Sequence, residues 1–160
     1  MLNLGDVIEI IESAFENVTL DNGISIREAK AIDSHSGIEI IRKEREKDER
    51  DNWSKIPYEN IIKYPSVFAF MDEKGLLFHL PAYMIFTLTQ KNSKAIGFAE
   101  EDILYTLIPE ESSGNEPAII NLNKKQVKAI QVYLEWKLKV CDIKIAAEDY
   151  SKALRYWKYA

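Results

Sequence analysis

His79 and Tyr83 stand four residues apart in an apolar stretch, the spacing that brings two side chains onto one helix face. An imidazole beside a phenol can move a proton, and His79 is the one candidate general acid or base in the sequence. Pro81 falls between the two and can bend the chain there. With Trp53 the pair could line a pocket. A His in an apolar helix is more commonly a hydrogen-bonded core residue, which is the favoured reading, and no residue is assigned a catalytic role.

The other reactive groups are sparse. The adjacent acids Asp72 and Glu73, Glu100 and Glu101, and Glu110 and Glu111 point apart on a helix and serve its positive end better than a shared substrate. Cys141, the sole cysteine, falls on an apolar helix stripe near the C-terminus of that helix and reads as buried and unreactive. His35 and His79 with nearby carboxylates have no zinc-ligand spacing, and the chain lacks a glycine-rich phosphate loop, a nucleophile elbow and a His-Glu-x-x-His pair. Neither a metal nor a cofactor is expected. Trp53, Tyr83, Trp136, Tyr156 and Trp157 are either core or binding anchors, with core favoured. Tyr156 and Tyr159 lie off the C-terminal stripe and are the better candidates for surface aromatics, so the binding candidates are Trp53, His79, Tyr83, Tyr156 and Tyr159.

The elements that carry these residues follow from apolar spacing and capping. Residues 5 to 16 read as an amphipathic helix on Val7, Ile8, Ile11, Ala14 and Phe15. Ser25 with Glu28 has the spacing of a capping box, and Gly37 separates that helix from a third. Residues 42 to 52 are wholly polar and alternate in sign, as on a solvated face. Residues 66 to 71 read as a short strand or a buried extended segment. Asp72 caps a helix through Leu80, and Pro81 kinks it or opens the next one, which is apolar on nearly all sides and central to the fold. Residues 98 to 108 read as helix and residues 109 to 117 as an acidic loop. Asn123 and Gln126 open a long helix with Val127, Ile130, Leu134, Leu138 and Cys141 as its stripe, and Ile143, Ala147, Tyr150, Leu154 and Trp157 mark a last amphipathic helix.

Together these predict a mainly α, single-domain, helical bundle-like fold with at most one or two short strands. The 160 residues are 46% apolar and 29% charged, enough for one packed core. The net charge is -5 and the basic residues are interspersed with acids, so nucleic acid is not an expected partner, whereas a basic protein is compatible with the field. The lone thiol fits a reducing compartment, and Asp6, Glu9 and Glu12 do not suit an export signal, so a cytoplasmic location is expected. The apolar stretch 76 to 88, interrupted by His79, Pro81 and Thr87, is shorter than the roughly 20 residues that span a bilayer, and no membrane contact is expected. The oligomeric state is left open.

One stretch carries a resemblance. Trp53 with Ile56 and Pro57, then Phe68 to Phe70, then residues 72 to 80 running into Leu80-Pro81-Ala82-Tyr83-Met84 resemble a bacterial family of short proteins of unknown function. The closing Ala153-Leu154-Arg155-Tyr156-Trp157 is also similar. Phe78-His79 and Glu73-Lys74-Gly75 depart from the pattern, and Gly75 weakens its helix. The resemblance implies a shared fold unit and no catalytic residue. The expected function is non-catalytic protein binding, of an immunity-like or regulatory kind; the alternative is a small-molecule or enzymatic pocket near His79 and Tyr83.

Overall fold

The computed structural model describes the backbone of residues 1 to 160 and every side chain except those of Glu111 and Ile145. The fold is mainly α. Among the described residues there are eight α-helices, in chain order α1 (Leu4–Phe15), α2 (Ile26–Asp33), α3 (Ile38–Glu46), α4 (Tyr58–Lys63), α5 (Glu73–Thr89), α6 (Lys94–Leu107), α7 (Lys124–Val140) and α8 (Lys144–Trp157). Their β content is one isolated antiparallel bridge from Glu110 to Glu116. No helix is long and apolar enough to cross a membrane among these residues. Two compact units result, one from residues 1 to 16 with 104 to 160, the other from residues 17 to 103.

In the unit 17 to 103, α5 is the buried element. Asp72 Oδ1 accepts from Gly75 N at 2.9 Å to cap it, and all its residues from Phe78 to Thr87 are buried. Pro81 lies inside one continuous helix, so of the two expected outcomes, a kink or the opening of a new helix, the second does not occur. Pro81 cannot donate to the carbonyl one turn back, a loss of about 3 kcal/mol in an isolated helix. Burial of the flanking Leu80, Ala82, Tyr83 and Met84 outweighs it. Residues 66 to 71 form no strand. Phe68–Phe70 is a single 3-10 turn, and the Phe68 ring lies 4.5 Å from that of Tyr83. The Trp-x-x-Ile-Pro stretch is a 3-10 turn, Trp53–Lys55, followed by buried Ile56 and by Pro57 as the N-cap of α4.

In the other unit, α1 packs on α7 and α7 on α8. Both α1 and α7 open with full capping boxes, Asn3 with Asp6 and Asn123 with Gln126. Val7, Ile11 and Phe15 form the buried face of α1. Of the stripe read by spacing on α7, Ile130 and Leu134 are buried and Val127 and Leu138 half-buried; Gln126, Ala129, Val132, Tyr133 and Lys137 are also inside, and Val140 is exposed. Lys137 goes in because its stem packs and its ammonium lies 5.9 Å above the Tyr150 ring. Cys141, read from the sequence as buried, is half-exposed at the C-cap of α7, where its thiol donates to the Ile143 carbonyl at 3.3 Å. Tyr150, Ala153 and Trp157 bury α8, and Trp157 Nε1 donates to the Leu107 carbonyl at 2.8 Å.

Candidate functional site

The sequence singles out Trp53, His79 and Tyr83, and all three are interior residues of the unit 17 to 103. His79 Nδ1 lies 2.7 Å from the Gly75 carbonyl, one turn back on α5. A carbonyl only accepts, so the ring carries its proton on Nδ1 and leaves a lone pair on Nε2. That Nε2 is buried and has no hydrogen-bond partner among the described residues. Burial pushes the imidazole down to about 4, against the Gly75 carbonyl, Asp48 and Asp72, which favour protonation. The ring is neutral near pH 7. Tyr83 donates its phenol proton to the Tyr64 carbonyl at 2.7 Å, and burial first, then Asp102 and Asp48, holds its pKa well above the ordinary value. His79 and Tyr83 have no exposed surface, so neither reaches a solute without opening of the fold.

Around them lies polar machinery that spacing did not reveal. Arg45 of α3 donates to the carbonyls of Asp21 and Gly23 and pairs with Glu28 at 2.9 Å. Asp48 is buried and accepts from the Arg27 backbone at 2.7 Å and its guanidinium at 2.9 Å. These two residues sit in the run expected to be a solvated face, and they instead clamp α2 and the turn before it. Asp72 takes the Ile24 N–H as well as that of Gly75, each at 2.9 Å. Asp102 accepts from Val67 N at 2.7 Å and Phe68 N at 2.9 Å, and Ser66 Oγ reaches it at 3.4 Å. Its carboxyl is raised above the ordinary 3.8 because burial outweighs these bonds. All this serves the fold. Of the acid pairs noted in the sequence, Glu110 and Glu111 end with a residue whose side chain lies outside the described ones.

Open sites occur in the other unit. A groove of about 610 Å³, open to solvent, runs between α1 and the start of α7. Leu2, Ile10 and Ala14 supply its apolar floor, Asp6, Glu9 and Ser13 its α1 side, and Lys124, Lys125 and Lys128 its α7 rim. Positions 6, 9, 10, 13 and 14 form a stripe along α1, distinct from the buried stripe of Val7, Ile11 and Phe15. The three lysines make no ion pair with a described residue. Asp6 is engaged in capping, accepting from Asn3 N at 2.8 Å, which leaves Glu9 as the unengaged acid of the groove. A smaller hollow of about 150 Å³, lined by Met1, Leu2, Val7, Val132, Glu135, Trp136 and Lys139, shares Leu2 with it. No cluster of three or more His, Cys, Asp or Glu side chains that could hold a metal ion occurs among the described residues.

Comparison with known families bears on the whole chain. The pattern described as a family of unknown function, DUF6714, matches residues 3 to 160. The chain belongs to DUF6714. Membership covers nearly the entire length of this DUF6714 chain, beyond the middle stretch and C-terminal residues that carried the resemblance in the sequence. No curated protein and no solved structure matches it. Tyr156 and Tyr159, the remaining residues singled out by sequence, lie at the end of α8 and just past it. Tyr156 is half-buried with its ring 5.2 Å from Trp157, and Tyr159 is 84% exposed, and neither lines the groove.

Proposed function

We propose that this chain is a non-catalytic protein-binding domain, bacterial and cytoplasmic, of a regulatory or immunity-like kind, and that it holds its partner in the α1/α7 groove. The observation that carries this reading is the combination in one groove of an apolar floor and a rim of unpaired charge. Interfaces combine an apolar centre with a polar rim in this way. The competing reading, a catalytic or ligand pocket at His79 and Tyr83, is weakened by the engagement of both polar groups with backbone carbonyls inside the core. The groove volume falls in the range of small-molecule sites, but such sites bury most of their ligand, and this one is open. The net charge of -5 favours a partner that is basic overall.

The test is affinity capture from the source cells at low and high salt, with the wild-type chain and with Ile10→Glu, which places a carboxylate in the groove floor. A partner retained by the wild type and lost by a normally folded Ile10→Glu variant supports the reading. Retention by both, or by neither, overturns the groove as the docking site.

A further inference from the structure

We propose that the segment seated in the α1/α7 groove is an amphipathic helix of the partner, with carboxylates along one edge and a cation on the other. The inference rests on the docking role proposed above and gives that partner its chemistry. The groove wall on α1 is a stripe with the spacing i, i+3, i+4, i+7 and i+8 from Asp6 to Ala14, so it is straight and about 12 Å long, two turns of a facing helix. Ser13 and Ala14 are small and allow that helix to approach closely, while Ile10 and Leu2 offer apolar surface at one-turn intervals or more.

The rim sets the polarity. Lys124 and Lys125 open α7, and Lys128 follows one turn later, so three cations stand at the positive end of a helix dipole with no acid in its first turn. That placement is unfavourable in the free chain. Carboxylates on a seated helix relieve it, and they are the groups that Lys124, Lys125 and Lys128 lack among the described residues. On the opposite side Glu9 is exposed and unengaged, and it calls for a cation. The two edges therefore carry opposite signs and fix which way round the helix lies. A partner that is basic overall still satisfies this if its seated helix has one acidic edge.

The experiment is fluorescence anisotropy with two labelled, end-capped helical peptides of about 16 residues, sharing a Leu/Ala face. One carries a Glu edge and a single Lys opposite; the other has these signs exchanged. The full chain is expected to bind the first at least about tenfold more tightly, and Lys124→Gln/Lys125→Gln/Lys128→Gln to lose about tenfold for it, the combined effect of three exposed ion pairs. Its salt dependence should flatten in that variant. Equal binding of the two peptides, indifference to the lysine changes, or binding of laurate with neither peptide would overturn the proposal. With the captured natural partner, loss on Ile10→Glu but not on the lysine variant leaves the groove as docking site and removes the acidic edge.

Discussion

Asp102→Asn should be nearly silent where Asp102→Ala is costly. One oxygen of Asp102 takes both the Val67 and Phe68 N–H groups, at 2.7 and 2.9 Å, and the other faces Ser66 Oγ at 3.4 Å. Removing the carboxylate leaves two backbone donors without an acceptor at about 1–3 kcal/mol each, so Asp102→Ala should cost roughly 2–4 kcal/mol once water regains part of the loss. An Asn with its oxygen in the first position keeps both backbone bonds, and its amide nitrogen can donate to the Ser66 hydroxyl. It also spares the buried charge, so the net cost should stay below about 1 kcal/mol. The pH dependence has a definite sign. Since burial raises this carboxyl above 3.8, the wild type gains on Asp102→Asn as pH falls. That gain is complete below 3.8 and is lost as pH rises through the raised value. Amide exchange at Val67 and Phe68 reports the unit directly, and urea unfolding by circular dichroism gives the total. An Asn variant as unstable as the Ala variant would refute the reasoning, because the charge itself would then hold the turn.

Gly75→Ala should destabilise although Ala is the better helix former by about 1 kcal/mol, because its methyl would lie 2.5 Å from the Ile24 carbonyl oxygen. A raised melting temperature would show that this approach can relax. His79, held down at about 4 by burial against an ordinary 6.5, gives stability that is present above pH 6.5 and lost as pH falls towards 4. The full loss is about 3 kcal/mol at 1.4 kcal/mol per pKa unit. Asn at position 79 keeps a donor for the Gly75 carbonyl and cannot titrate, so unfolding curves between pH 7 and 4 should flatten in His79→Asn; an unchanged slope would assign the pH dependence elsewhere. Tyr83→Phe leaves the Tyr64 carbonyl without its 2.7 Å donor and should cost about 1 kcal/mol in denaturant, with no change in peptide binding at the groove; a loss of peptide binding would contradict the assignment of Tyr83 to the core.

Local chemistry was legible in the sequence and remote chemistry was not. The caps at Asp72 and at Asn123 with Gln126 were readable because donor and acceptor lie three residues apart. The mainly α class followed from apolar periodicity over α1, α7 and α8. The opening of a new helix at Pro81 failed because the cost of a proline is local, while the burial that outweighs it comes from packing along α5. Arg45 and Asp48 looked solvated because alternating signs on one helix say nothing of Glu28 and Arg27, which lie 17 and 21 residues away. The α1/α7 groove was hidden for the same reason: Ala14 reads as part of an apolar face, yet it lines an opening completed by lysines more than a hundred residues later. Gly75 was read as a weakness in its helix, and the structure gives the compensating reason, a close approach to Ile24.

The turn from Leu20 to Ser25 has a kinetic consequence. Gly23 N returns to the Leu20 carbonyl at 2.8 Å, Ile24 N goes to Asp72, and Arg45 takes the carbonyls of Asp21 and Gly23. A segment without regular structure thus has most of its backbone bonded, and its amides should exchange as slowly as those of a helix interior. Ile24 and Asp72 are separated by 48 residues, and Arg45 lies 22 and 24 residues from the two carbonyls it takes. Closing such loops precedes any gain from the bonds that fasten them, so this turn should order late in folding, after Arg45 and Asp72 have been brought to it. Variants that loosen it should then speed unfolding and leave the folding rate nearly unchanged.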